Sequence, residues 1–279
     1  MRCMSPQKAA AVMSRAESAS HLVSSTLREP TENHAHSIIL PEPRHARIQA
    51  QAVDRIIRAI AAKLQHDYPQ LVQMFEQCFP NTLETTTELL DDGTTFVFTG
   101  DIPAMWLRDS SAQVRPYVPL AGYDEVLRRV VRGLIQRQVQ YILIDPYANA
   151  FNREPNGHGH ATDRTEMGPW IWERKWEIDS LCYPIQLAHD YYSATGDRSI
   201  FDLPFYQMLQ RIVAVLRVEQ HHDQWSPYVF ERDDTLPSDT LPCGGRGTRT
   251  NETGMVWSVF GPAMMPACLG TTFPAICLQ

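Results

Sequence analysis

The feature that most constrains the fold is a helical repeat of apolar residues. It is clearest over residues 124–145, where aliphatic side chains form one wide stripe and arginines occupy the opposite face. Asp124 and Glu125 favour the start of this helix, because the positive end of a helix dipole attracts negative charge. The same periodicity predicts further helices over residues 47–66, after Pro69, over residues 175–194 and over residues 201–216.

The segments between these helices are long, polar and rich in aromatic residues. Strand signals are short, and the clearest ones predict a small hairpin around the turn at Asp92-Gly93. We therefore expect an all-α fold, in which helical hairpins stack into a toroid and the loops on one rim form the site. A parallel α/β sheet fits this pattern less well.

The overall charge and the cysteines exclude several classes of function. Twenty-five Lys and Arg against 32 Asp and Glu give a net charge of −7, which argues against a general nucleic-acid or anionic-membrane binder. The six cysteines are scattered and include no CxxC pair, so neither a zinc site nor a disulfide framework is expected. This balance is compatible with a neutral, hydroxyl-rich substrate.

The ends of the chain differ from its middle. Residues 1–44 are polar and irregular and are expected to form a disordered tail, with the helical domain beginning at residue 45. No run of residues approaches the ~18 apolar residues that a membrane span needs. The N-terminus also lacks the apolar core of a signal peptide, so an intracellular location is favoured.

Two segments, residues 100–111 and 165–180, hold most of the side chains that carry chemistry. They contain four of the six tryptophans, together with several Asp, Glu and Arg residues. A flat indole stacks on the apolar face of a sugar ring, and Asp, Glu and Arg bridge neighbouring hydroxyls. The segments therefore predict a carbohydrate pocket, although tryptophans and Arg–Asp pairs also occur as ordinary packing and buried ion pairs.

Long strings in these segments resemble a known family. Residues 98–110 (Phe-Thr-Gly-Asp-Ile-Pro-Ala-Met-Trp-Leu-Arg-Asp-Ser) and 172–184 (Trp-Glu-Arg-Lys-Trp-Glu-Ile-Asp-Ser-Leu-Cys-Tyr-Pro) are similar to signatures of glycoside hydrolase family 125. Residues 253–258 (Thr-Gly-Met-Val-Trp-Ser) resemble the family's next block. Their order and spacing also agree, and the resemblance covers residues 47–258.

The resemblance implies an (α/α)₆ barrel and an exo-acting α-mannosidase that removes α-1,6-linked mannose with inversion. It implies neither a metal nor any other cofactor, and its partner is a mannose-containing oligosaccharide. Residues of the first segment would lie in or beside the pocket for the terminal mannose: Asp101, Trp106, Arg108 and Asp109. Residues of the second segment would line it from the next hairpin: Glu173, Trp176 and Asp179.

The resemblance ends at Ser258. The family usually continues as Gly-Phe-Arg-Pro-Ser-Asp-Asp-Ala, whereas residues 259–279 follow neither that string nor a helical period. Met264-Met265 must be encoded by ATG-ATG, and a shifted frame of these codons contains GAT, which encodes aspartate. One lost nucleotide near Ser258 would therefore explain an out-of-frame segment over residues 259–279.

This departure bears on catalysis. An inverting glycosidase needs a carboxylic acid and a carboxylate base about 6.5–9.5 Å apart. The resemblance places both in sequence that is missing or out of frame, so no catalytic residue is identified and the chain is expected to be a catalytically incomplete barrel. The alternatives are a non-catalytic mannoside-binding module and another sugar-active enzyme with a helical barrel, such as a lyase or an epimerase.

One further cluster invites a metal hypothesis. His158, His160 and Asp163 lie close together in the sequence. No other pattern of metal ligands supports them, so a solvated loop or a loop at the rim of the pocket is the preferred interpretation.

Overall fold

The computed structural model describes residues 47–160, 162–251, 253–260 and 271–273. The predicted tail over residues 1–44 lies outside the described residues, as does most of the predicted out-of-frame segment. The described chain is mostly helical, with small sheets between the helices. The helices are α1 (Gln51–Leu64), α2 (Pro69–Cys78), α3 (Leu107–Val114), α4 (Glu125–Ile144), α5 (Ile178–Thr195), α6 (Leu203–Glu219), α7 (His222–Trp225) and α8 (Pro242–Gly245).

Local signals explain where the long helices begin and end. The carboxylate of Asp124 accepts hydrogen bonds from the backbone N–H groups of Val126 and Leu127 and so caps α4. Asp202 caps α6 in the same way through the N–H of Phe205. Helix α5 ends at Gly196, whose φ of 69° lies in the left-handed region that glycine adopts without strain.

Within the described residues, three antiparallel sheets of very short strands connect the helices. The strands are β1 (Thr87–Leu89), β2 (Thr95–Val97), β3 (Ala104–Trp106), β4 (Ala150–Asn152), β5 (Ile171–Glu173), β6 (Val256–Ser258) and β7 (Thr271–Phe273). They pair as β1–β2, β3–β4–β5 and β6–β7. The hairpin at Asp92-Gly93 confirms the sequence prediction, whereas the other two sheets are additions that the all-α prediction left out.

The helices pack so that the two polar segments meet. Helix α3 packs against α5, and α4 packs against α6 and against strand β2. Gly133 allows the last of these contacts, because a Cβ atom there would lie only 2.6 Å from the hydroxyl of Thr95. Since α3 begins within the first polar segment and α5 begins within the second, their packing places the two segments side by side. Among the described residues, no helix has both the length and the apolar character needed to cross a membrane.

Candidate functional site

The three-stranded sheet joins the two polar segments directly. Trp106 pairs with Ala150 across β3 and β4, and Ala150 pairs with Glu173 across β4 and β5. Trp106 and Glu173 therefore lie on the two strands that flank Ala150, at a point where the pairing of β4 with β5 is interrupted by a bulge. Because Trp106 is partly exposed, its ring keeps a surface on which a ligand could stack.

The side chain and backbone of Asn149 also connect these two segments, through hydrogen bonds. Its side-chain amide donates to Oε2 of Glu173 at 2.9 Å, and its side-chain oxygen accepts from the N–H of Lys175 at 3.1 Å. Its backbone oxygen accepts from the N–H of Leu107, the first residue of α3. This buried asparagine therefore fixes Glu173 relative to the start of α3.

Arg108 stands at the centre of a cluster of carboxylates. Its Nη1 atom donates to Oε2 of Glu177 at 2.8 Å and to Oδ2 of Asp179 at 3.1 Å. Its Nη2 atom lies 3.4 Å from Oδ2 of Asp109. The Arg108 side chain is only 16% exposed, so these contacts form in a largely desolvated setting where charge-assisted hydrogen bonds are strong.

The electrostatics of this cluster favour proton retention by Glu177. Burial raises the pKa of Glu177 to about 7; Arg108 opposes this rise, while Asp179 and Glu173 add to it. Burial also raises the pKa of Asp179, again against the effect of Arg108. For Arg108 itself, burial lowers the pKa but the three carboxylates raise it more, so the guanidinium stays charged.

Two carboxylate oxygens in the cluster are buried and accept no hydrogen bond among the described residues, although one of them faces Arg108 in the ion pair at 3.4 Å. They are Oδ2 of Asp109 and Oδ1 of Asp179. Buried polar atoms are nearly always hydrogen-bonded in native proteins, so such atoms mark places where a ligand's donors would be accepted. The hydroxyl groups of a sugar are donors of the required kind.

Glu173 has the opposite electrostatic environment. Burial raises its pKa, but Lys175, Asn149 and Arg232 together hold that pKa below its ordinary value. Nη2 of Arg232 donates to Oε1 of Glu173 at 3.0 Å, and Nζ of Lys175 lies 3.4 Å from the same oxygen. Glu173 is therefore ionised at neutral pH and acts only as an acceptor.

Two of the side chains weighed as metal ligands, Asp163 and His160, contact other groups. Both carboxylate oxygens of Asp163 accept hydrogen bonds from Arg232 at 2.7 Å. His160 lies 3.8 Å from Glu173 and is 44% exposed. Within the described ranges, no three His, Cys, Asp or Glu side chains are close enough together to hold a metal ion.

The seven predicted site residues separate into four groups. Arg108, Asp109 and Asp179 meet in the cluster, and Trp106 and Glu173 flank Ala150 on the sheet. Asp101 lies in the exposed turn between Thr99 and Ile102. Trp176 is completely buried.

The position of Trp176 differs from the prediction. Its indole N–H donates to the backbone oxygen of Trp257 at 2.8 Å, and no part of its side chain reaches the surface. It therefore supports the site from the core instead of lining it. The sequence shows a tryptophan in a polar segment, but only the register of the chain decides which face its ring occupies.

Sequence reasoning left Asn149 and Arg232 out of the site, and it gave Glu177 no role of its own. Glu177 lies within the second segment, four positions after Glu173, where the resemblance implies substrate binding. Asn149 and Arg232 lie outside both segments, and Arg232 is 59 residues from the Glu173 that it binds. No local pattern connects residues at that separation.

Comparisons with known proteins identify the family. Residues 68–276 match the metal-independent alpha-mannosidases of glycoside hydrolase family 125, which confirms the resemblance seen in the sequence strings but extends past Ser258, where those strings end. A solved structure of a metal-independent alpha mannosidase from Streptococcus pneumoniae, in a non-productive substrate complex with alpha-1,6-mannobiose, is similar with a TM-score of 0.72 and 49% identity. That similarity covers 75% of this chain and 49% of the other.

A relative in Schizosaccharomyces pombe, the meiotically up-regulated gene 157 protein, is 32% identical over 248 residues. These residues are 81% of this chain and 48% of the relative. The chain thus spans about half the length of the relatives that it matches.

Proposed function

The chain belongs to glycoside hydrolase family 125, the metal-independent alpha-mannosidases, and we propose that its site binds the terminal mannose of an oligosaccharide. The observation that carries this proposal is the cluster around Arg108. It combines a charged donor with two buried carboxylate oxygens that accept no hydrogen bond among the described residues: Oδ1 of Asp179, and Oδ2 of Asp109, which Arg108 approaches only to 3.4 Å. A partly exposed indole, Trp106, stands at the end of the strand that leads into the cluster.

Each part of the site fits one property of mannose. The hydroxyls of the ring donate to carboxylate oxygens and accept from a guanidinium, which fixes their directions. The C–H face of the ring is apolar and stacks on an indole. The carboxylate of Glu173, which its neighbours keep ionised and which lies on the same sheet as Trp106, supplies one more acceptor.

We further propose that this chain forms part of an (α/α)₆ barrel, and that a second part completes the barrel in the whole enzyme. That enzyme would remove α-1,6-linked mannose from chain ends, with inversion and without a metal. The S. pneumoniae complex with alpha-1,6-mannobiose supports an oligosaccharide substrate. Glu177 and Asp179 are both engaged by Arg108. We therefore assign the acid and the base to positions beyond Ser258 in the family pattern, and residues 259–279 to a shifted frame.

The experiment compares binding with cleavage in the 279-residue chain. Isothermal calorimetry should detect mannose and α-1,6-mannobiose but not glucose, and an aryl α-mannoside should show no hydrolysis above background. Asp109→Asn should weaken mannose binding by about tenfold or more, as loss of a charged acceptor predicts, while Asp54→Asn on the exposed face of α1 should not.

Three results would contradict the proposal. Absence of mannose binding, or equal affinity for glucose, would reject the sugar site. Clear turnover by the 279-residue chain would reject the assignment of the acid and the base. Transcript sequence that keeps the printed frame across Ser258 would reject the shifted frame and favour a mannoside-binding module that does not cleave.

A further inference from the structure

Strand β6 holds the main chain on both sides of Glu177. Before Glu177, the indole N–H of Trp176 donates to the backbone oxygen of Trp257 at 2.8 Å. After it, the N–H of Ile178, which begins α5, donates to Oγ of Ser258 at 3.1 Å. The N–H of Phe260 also donates to the backbone oxygen of Trp176 at 3.3 Å. The placement of Glu177 therefore depends on the placement of β6.

The ring of His222 in turn fixes Trp257. The two rings are stacked, with centroids 3.5 Å apart and planes inclined by 22°, and both side chains are buried. Stacking alone leaves a ring free to slide in its plane. His222 cannot slide, because both of its nitrogens are held.

The two partners of His222 are both acceptors. Nε2 lies 2.9 Å from the backbone oxygen of Arg246, which cannot donate, so Nε2 carries a hydrogen. Nδ1 lies 2.6 Å from Oε2 of Glu219. A hydrogen bond joins these two atoms, whether the proton is bound to the imidazole or to the carboxylate. The ring is therefore clamped at both edges.

Glu219 is fixed just as firmly. Its Oε1 atom accepts from the hydroxyls of Tyr147 at 2.7 Å and Ser226 at 2.6 Å. Glu219 is 1% exposed and His222 is 2% exposed, so neither reaches a sugar directly. Fully satisfied buried polar clusters of this kind specify one local geometry.

We propose that His222 is a positioning residue for Glu177, acting through Trp257. The clamped imidazole fixes the indole of Trp257, strand β6 then fixes the backbone around Glu177, and this sets the contact between Glu177 and Arg108. Only the last consequence, a correctly shaped sugar site, rests on the proposed function.

The test uses His222→Phe in the 279-residue chain, which keeps a flat ring but removes both hydrogen bonds. Amide exchange followed by NMR should become up to about tenfold faster at Ile178, as the loss of one hydrogen bond allows, while Val139 inside α4 stays unchanged. The carboxyl ¹³C titration of Glu177 should move down from about 7 towards its ordinary value, because solvent reaches a loosened segment. His221→Phe is the matched control, since the His221 ring contacts Trp225 instead.

A second variant covers the case in which His222→Phe does not fold. Ser258→Ala removes the acceptor of the Ile178 amide, and it should produce the same local acceleration. Equal acceleration at Ile178 and Val139 would show a general loss of stability and overturn the proposal, and so would an unchanged Ile178 amide. Parallel calorimetry separates the two hypotheses: if the parent chain does not bind mannose but Ile178 still responds, the proposed function fails and the positioning role stands.

Discussion

Replacing Arg108 by methionine tests the electrostatic account of the site most directly. Methionine keeps a long apolar stem but removes the charge that faces Glu177, Asp179 and Asp109. The side chains of Glu177 and Asp179 are 7% and 21% exposed, so they lose their counter-charge in a desolvated setting. Leaving one partner of a buried ion pair uncompensated costs about 3–5 kcal/mol of the free energy of unfolding.

The loss of unfolding free energy in Arg108→Met depends on pH, because a carboxylate that takes up a proton no longer needs a counter-charge. The pKa of Glu177 is about 7 with Arg108 in place, and without Arg108 burial raises it further. A carboxyl whose pKa is raised on folding binds more protons in the folded state, so stability falls as pH rises through the folded-state pKa. The deficit of Arg108→Met should therefore be small near about pH 5 and largest near about pH 8.

Urea unfolding followed by tryptophan fluorescence measures this deficit. Arg115→Met is the matched control, because Arg115 is 55% exposed and its pair with Asp190 lies near the surface. Surface pairs contribute about 0–1 kcal/mol, so the control should change stability little and without a strong pH dependence. The reasoning would be refuted by an Arg108→Met deficit that is the same at both pH values or no larger than that of the control.

Two further predictions concern neighbouring side chains. Glu177→Gln removes a carboxyl whose pKa rises from 4.5 to about 7 on folding. The free energy of unfolding of this variant, relative to the parent, should therefore increase by up to about 3 kcal/mol between about pH 5 and about pH 8. A difference in urea unfolding that does not change with pH would contradict this. Trp106→Ala should weaken mannose binding by about tenfold in calorimetry while Trp106→Phe retains most of it, because phenylalanine keeps an aromatic face; equal losses would argue against stacking.

The sequence predicts the long helices well because their signals are local. The stripe over residues 124–145 corresponds to α4, Glu125–Ile144, whose start Asp124 caps and whose end is at Asp145. The helix expected from about residue 175 begins only at Ile178. The difference has a physical reason: β5 and the residues after it are held extended by contacts with Asn149 and Tyr228, which no helical periodicity reveals.

The other two sheets and the ion network could not be predicted in this way. Strand β3 pairs with β4 across more than forty positions, and each strand has only three residues, too few to show an alternating pattern. Residue type also fails to separate Trp106, which is partly exposed, from Trp176, which is buried. The family strings identified the segments, and the structure assigns the side chains within them.

The charges of the Arg108 cluster also define the kind of ligand that fits. Three carboxylates surround one guanidinium, an excess of negative charge that burial makes costly, and the raised pKa of Glu177 shows how the cluster reduces it. An anionic sugar would add charge of the same sign beside Asp109 and Asp179. A neutral sugar instead brings hydroxyl donors to their buried oxygens without adding charge. The cluster thus disfavours a uronic acid, and if the proposed function holds, affinity for mannose should exceed that for mannuronate.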